Sequence, residues 1–277
     1  MIFTSVYSVV DGLFVSNFAG KTSFAAINLI MPLLIILGAV GFMIGAGGTA
    51  IVAKTLGLGD KKIANEYFSF LIYATIALGT LLSLLGMFFA EPVSRLLGAE
   101  GEMLDYCVTY ARIILLALPF FMLQNIFQSF FITAEKPKLG LFVTVAAGVA
   151  NILLDALFVA VLELGLVGAA VATAISQFIG GVVPLVYFSL NNSSTLRLGR
   201  TGVYFGVLLR TCVNGSSELM SNISASVVTI LYNYQLMRFA GEDGVAAYGA
   251  IMYVAFIFGA IFIGSLAHRY YLHRSGS

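Results

Sequence analysis

A chain of 277 residues that is 60% hydrophobic and only 10% charged cannot cover a folded surface in water, where about 25% charged residues are usual. Its formal net charge of +1 offers no basic face for nucleic acid. Cys107 and Cys212 are solitary and His268 and His273 sit near the end of the chain, so disulfide, zinc and haem readings have no ligands to use.

Apolar runs of roughly 20 residues recur between short polar clusters, the pattern of a polytopic membrane protein. The runs lack the two-residue alternation of an outer-membrane barrel, and backbone exposed to lipid must satisfy its own hydrogen bonds. The predicted class is therefore all-α, a polytopic helical membrane protein with about eight membrane helices. The segments are predicted near 1–18, 25–53, 65–89, 106–132, 139–162, 166–190, 212–238 and 245–264.

The first segment carries Asp11 inside the apolar stretch from Ile2 to Phe18. An acid at a membrane helix centre costs roughly 2.5 to 3.5 kcal/mol, so it is tolerated only facing protein, water or a cation. The alternative is that Asp11 lies close enough to the start of the chain to reach water. The apolar residues before it argue against that. The second segment holds Asn28 and a glycine stripe, Gly38, Gly41, Gly45, Gly47 and Gly48, that lets helices pack closely. The connector Leu56 to Lys62 and the connector Ala134 to Lys138, with its helix-ending Pro137, bracket the third and fourth segments. On the fourth, Gln124, Asn125 and Gln128 cluster beyond Pro119, among phenylalanines that read as lipid-facing or core.

The fifth segment places Asn151 and Asp155 four residues apart, on one helix face. A carboxylate beside an amide in a low-dielectric pocket can exchange a proton or hold a small cation. A hydrogen bond between helices is the competing reading. Thr173 and Gln177 stand at the same spacing on the sixth segment. Each polar residue alone reads as a packing hydrogen bond. Together with Asp11 and Asp155 they are expected to line one polar cavity. Asn191 to Asn192 opens the longest linker, reaching about Arg210, and Glu218 is a third acid at the shallow start of the seventh segment.

Basic residues set the orientation. With the amino terminus inside, Lys54, Lys61, Lys62, Lys136, Lys138, Arg197, Arg200, Arg210, Arg269 and Arg274 fall on the cytoplasmic side. Only Lys21, Arg95, Arg112 and Arg238 fall on or near the outer side, as the positive-inside rule requires. A multi-pass protein of the cell membrane with a cytoplasmic amino terminus and no leader peptide is expected.

The chain also repeats itself. Phe18-Ala19-Gly20 recurs as Phe239-Ala240-Gly241, an offset of 221 residues. At that offset Ala25-Ala26 matches Ala246-Ala247, Ile30-Met31 matches Ile251-Met252, Ile36 matches Ile257, and Gly38-Ala39 matches Gly259-Ala260. One repeat would then be six helices, an architecture common among secondary transporters. The expected organisation is an amino-terminal six-helix lobe over 1–190, a cytoplasmic linker over 191–211, the first two helices of a second lobe over 212–264, and an atypical tail over 265–277. A fragment of a longer protein is the expectation. No G-x-S-x-G, Walker or H-E-x-x-H signature appears, so no enzyme is expected.

Three runs carry a family likeness: Val10 to Val15, Asn151 to Phe158, and Gly165 to Thr173. They resemble the multidrug and toxic compound extrusion (MATE) transporters, and Gly241 to Gly249 resembles the opening of that family's second lobe. The resemblance implies twelve helices in two lobes, and antiport of organic, often cationic, compounds against H⁺ or Na⁺. It implies a cation site at Asp11, Asn151, Asp155 and Thr173, with no cofactor beyond the coupling ion, and Gln128 and Glu218 resemble further polar positions of the family; Asn125 and Gln177 are pocket candidates from their own polar character. Small organic substrates and membrane lipids are the implied partners. Two rival readings are a lipid-linked oligosaccharide flippase of the same superfamily, which would want a more cationic cavity, and a non-transporting membrane fragment.

Overall fold

The structure, a computed structural model, describes residues 10–275 of the chain. Residues 1–9 of the predicted first segment lie outside the described residues, as do the last two of the predicted tail. Helix α1 is described from residue 10 and ends as a π-helix, Val15–Ala19. It is followed by α2 (Lys21–Gly57), α3 (Lys61–Leu96), α4 (Gly101–Thr133) and α5 (Pro137–Asp155). Helix α5 runs on as a second π-helix, Ala156–Val161, before α6 (Gly165–Ser189). A short α7 (Phe205–Asn214) precedes α8 (Ser216–Ser275). Helix α8 is two helical arms meeting at Gly241. Helices α2, α3, α4, α6 and α5 with its π-helical extension are each long and apolar enough to cross a membrane.

Local chemistry accounts for the boundaries. Asp60 caps α3 by accepting the Ile63 N–H at 3.4 Å, and Pro137 opens α5 where its missing N–H costs nothing. Helix α4 sits centrally and packs against α2, α3 and α6, while α5 packs along α6. The α2 glycine stripe makes the α2–α4 contact possible. A Cβ on Gly41 would stand 2.7 Å from Met122 Cα, and one on Gly45 3.1 Å from Ile126 Cα. The phenylalanines of α4 fall on the core side. Phe127 and Phe130 are fully buried with Phe68 and Phe188, with ring centroids 4.9 Å apart for Phe68 and Phe130.

Two stretches differ from the sequence expectation. The linker from Asn191 to Arg210 contains most of α7, and the break before the seventh segment falls at Gly215. Apolar periodicity could not place that break, because residues on both sides of it are amphipathic. The first part of the linker is a strap laid on α3. Arg197 N–H donates to Asn65 Oδ1 at 2.7 Å, Gly199 N–H to Ser69 Oγ at 3.0 Å, and the Thr201 hydroxyl to the Glu66 carbonyl at 2.7 Å. The Tyr204 hydroxyl donates to the Glu66 carboxylate. At the other end, α8 stays helical to Ser275, across residues where the apolar pattern gives way. Backbone propagation continues a helix that side-chain patterning no longer marks.

The repeat has a backbone counterpart. Gly20 (φ 89°, ψ 164°) joins α1 to α2, and its equivalent Gly241 (φ 61°, ψ −152°) joins the two arms of α8. Both conformations are ones that only glycine adopts cheaply. The residues that follow them pair across the copies. Lys21 forms an ion pair with Asp243, and the Thr22 hydroxyl donates to Glu242 Oε2 at 2.9 Å.

Candidate functional site

Asp155 is the last residue of α5 and is fully buried, with Asn151 buried one turn below it on the same face. Asp11 comes from α1, and the carboxyls of Asp11 and Asp155 meet at side-chain hydrogen-bonding range. Two ionised carboxylates contain no donor, so this contact is a hydrogen bond only when a proton is held between them. No described protein group supplies the missing partners: Asp11 Oδ1, both Asp155 oxygens and Asn151 Nδ2 are buried without a hydrogen bond. Each such atom costs about 1–3 kcal/mol if left unsatisfied, and like charges in a low dielectric repel. A proton or a small hard cation between the carboxylates answers both costs.

The backbone at the pair is unusual in a matched way. The π-helix Val15–Ala19 begins four residues after Asp11, and the π-helix Ala156–Val161 begins immediately after Asp155. The two wide segments pack on one another and on α6. Asn17 Nδ2 and Ser16 Oγ donate to the Leu13 carbonyl at 2.8 and 3.2 Å, satisfying an acceptor that the widened turn frees. Isolated π-helical turns are frequent at functional sites.

Two tyrosines missed in the sequence complete the surroundings. Tyr110 of α4 is buried with its hydroxyl unpartnered and is an electrostatic neighbour of Asp11, Asp155 and Tyr253. Tyr253, on the second arm of α8, is an electrostatic neighbour of Asp11. A Cβ on Gly12 would stand 2.7 Å from Tyr253 Cζ, so the ring lies directly on α1. It also meets the Phe24 ring at 5.9 Å. Neither tyrosine carried a sequence signal, because an aromatic in an apolar helix reads as core or interface and long-range pairing is invisible to periodicity.

The other predicted residues divide. Thr173 is half-buried on α6, which packs along α5, but no hydrogen bond joins its hydroxyl to Asp155 or Asn151. Asn125 and Gln128 lie further along α4 than Tyr110, and no hydrogen bond joins the side chain of either to the pair among the described residues. Gln124 fills the space over Gly180, one turn along α6 from Gln177, and Asn125 Nδ2 and Gln177 Oε1 are buried without partners. Glu218 is exposed in the first turn of α8.

A family model described as MatE matches residues 1–157, more than half of the chain. The chain belongs to the MatE family. A multidrug export protein MepA of Staphylococcus saprophyticus is 27% identical over 245 residues, covering 88% of this chain and 54% of that protein. The MepA of Staphylococcus haemolyticus is 30% identical over 189 residues, 68% of this chain and 42% of that protein. The chain spans about half the length of the curated relatives it matches. Among solved structures, the MATE multidrug transporter DinF-BH is 25% identical with a TM-score of 0.85, covering 94% of this chain and 60% of that one. An inward-facing multidrug resistance MATE family transporter of the MOP superfamily, 22% identical with a TM-score of 0.83, covers 92% of this chain and 60% of its own, and shares the fold. This MatE-family chain is thus a multi-pass helical membrane protein.

Proposed function

We propose that this chain works in a cation-coupled antiporter, driven by H⁺ or Na⁺, that exports small organic, often cationic, compounds across the cell membrane. The observation that carries the reading is the Asp11–Asp155 contact, two carboxyls face to face with no protein donor between them. The likeness to MepA and to DinF-BH, whose names describe multidrug export and transport, supports the same reading.

In this mechanism the pair is a switch with two charge states. Empty, the carboxylates repel and favour separation of α1 from α5. Occupied by a proton or Na⁺, they are drawn together, and the π-helical segments that follow them reseat against α6. A coupling ion can shift such an equilibrium only by the difference in its affinity for the two arrangements. Substrate and ion would favour opposite arrangements, so that ion entry from outside expels substrate there. Asn151 and Thr173 belong to the ion site in this reading, with the amino terminus cytoplasmic, residues 1–190 as the first lobe, 191–211 as the linker and 212–264 opening the second. A flippase reading would need a basic interior, and among the described residues no Lys or Arg is buried.

The test is Asp155→Asn in a two-lobe transporter carrying this chain as its amino-terminal part. Export of a cationic dye into the lumen of everted vesicles is expected to lose its dependence on an imposed pH or sodium gradient. Unchanged gradient-driven efflux would overturn the assignment, and the gradient that drives the parent protein identifies the coupling ion.

A further inference from the structure

Helices α2 and α7 cross in contact at a pair of glycines. A Cβ on Gly47 would run into the Thr211 carbonyl, and one on Gly215 into the Met43 carbonyl. Seven residues beyond Gly47, on the same face of α2, stands Lys54. One residue before Thr211 stands Arg210. The crossing fixes both on the wall of one cavity of about 440 Å³, together with Tyr67 and Asn214. The rest of the wall is largely apolar, including Ile51 and Val207.

No acid lines this cavity, and neither Lys54 nor Arg210 forms an ion pair among the described residues. Of the carboxylates near in sequence, Asp60 caps α3 and Glu66 accepts the Tyr204 hydroxyl, while Glu218, eight residues beyond Arg210, is exposed and does not line the cavity. Both residues are exposed, and together they give this wall a positive face that favours an anion. Helix α7 also exposes an apolar stripe, Phe205, Leu209 and Val213, spaced one turn apart. An apolar stripe with a basic residue beside it is a pattern that suits a helix to a membrane interface.

We propose that the Lys54–Arg210 cavity binds a phosphate group, presented by the headgroup of an anionic phospholipid or as free phosphate. Arg210 supplies a planar pair of donors suited to phosphate oxygens, and Lys54 a second positive charge. The Asn214 amide and Tyr67 hydroxyl add neutral donors, and the apolar wall receives the glycerol and first acyl carbons of a lipid. This site lies apart from the carboxylate pair and does not depend on ion-coupled transport.

The full chain in detergent is tested by native mass spectrometry with phosphatidylglycerol, phosphatidylcholine and inorganic phosphate. Phosphatidylglycerol is expected to exceed phosphatidylcholine in occupancy, with about fivefold lost for each basic residue removed in Lys54→Ala and Arg210→Ala. Lys136→Ala, whose amine is bonded to Ser193 away from the cavity, is expected to leave occupancy unchanged. Retention of inorganic phosphate, lost in the same two variants, identifies free phosphate as a sufficient ligand. Retention of phosphatidylglycerol alone identifies the lipid. If an alanine variant loses helical circular dichroism, Lys54→Gln and Arg210→Gln replace it and carry the same expectation. Equal occupancy by the two lipids with no phosphate retained, or full anion occupancy in the folded double variant, overturns the proposal.

Discussion

The Asn28 side chain occupies the space over Gly249, where a Cβ would stand 2.5 Å from Asn28 Nδ2. Positions 28 and 249 are equivalent under the 221-residue repeat, so this contact joins a site to its own copy. On either side of it the pairing is reciprocal. Lys21 meets Asp243, the copy of Thr22, while Thr22 meets Glu242, the copy of Lys21. A residue meeting its own equivalent, flanked by exchanged pairs, is the signature of a two-fold axis. The axis here is internal to one chain and runs between α2 and the second arm of α8. Asn233 Nδ2, which donates to the Asn28 carbonyl at 2.8 Å, ties the first arm of α8 to the same point.

Gly249→Val is expected to destabilise the α2–α8 contact by about 1–3 kcal/mol, the usual cost of overpacking. Adding Asn28→Ala should return most of that loss, since it removes the atoms the new side chain would strike. Thermal unfolding of the single and double variants in detergent measures the coupling, and strictly additive losses would contradict the contact.

The Lys21–Asp243 pair is mostly solvent-exposed, so its contribution belongs to the range of about 0–1 kcal/mol. Lys21→Asp alone is expected to weaken the contact between the start of α2 and the second arm of α8 slightly by setting two acids together, and exchange of both residues should restore it. Proteolytic susceptibility of the Gly20 and Gly241 joints, compared at low and high salt, reads the effect.

Asp155→Asn removes one of two facing carboxyls and keeps the side-chain volume. The melting temperature is expected to hold or rise, because a buried like-charge contact disappears. Any shift in melting temperature produced by Na⁺ or by pH across the pair's titration should vanish in the same variant. A variant that keeps the full ion-dependent shift would place the ion site elsewhere.

Gly12→Ala drives a methyl into the Tyr253 ring and is expected to cost about 1–3 kcal/mol. Tyr253→Phe keeps the ring and removes only the hydroxyl beside Asp11. The two variants should therefore separate packing from polarity, with ion-dependent stabilisation reduced in Tyr253→Phe while its baseline melting temperature stays near that of the parent. An unchanged ion response in Tyr253→Phe would confine the tyrosine to packing.

The strap on α3 has its own pH range. The bond to Glu66, aided by that carboxylate's charge, holds the Tyr204 phenol above its ordinary value. A raised folded-state value means the clasp contributes fully below the free phenol range, about pH 10, and loses its contribution as pH climbs through the higher bound value. Spectrophotometric titration of tyrosinate is expected to lose a late-titrating phenol in Tyr204→Phe. Loss of an early one instead would contradict the clasp.

Asp11 and Asp155 were legible because a carboxylate in an apolar run conflicts with its solvent, and that conflict is local. Gly20 and Gly241 were legible as a repeated tripeptide, although their shared left-handed backbone was not. Tyr110 and Tyr253 were hidden because nothing local distinguishes an aromatic that faces a carboxyl from one that faces leucine. The break at Gly215 escaped notice because the crossing with Gly47 that requires it joins residues far apart in the chain.

The two π-helical segments each hold one residue more than an α-helix needs for the same hydrogen-bonded length. Reseating either ladder in α-helical register would expel that residue and turn everything beyond it by about 100°, with about 1.5 Å of travel along the axis. No hinge or bend is required for such a step. Because Val15–Ala19 and Ala156–Val161 lie against each other, a step in one removes the seat of the other. Carboxylates at the head of both segments would then meet or part by rotation, as teeth of two engaged screws do.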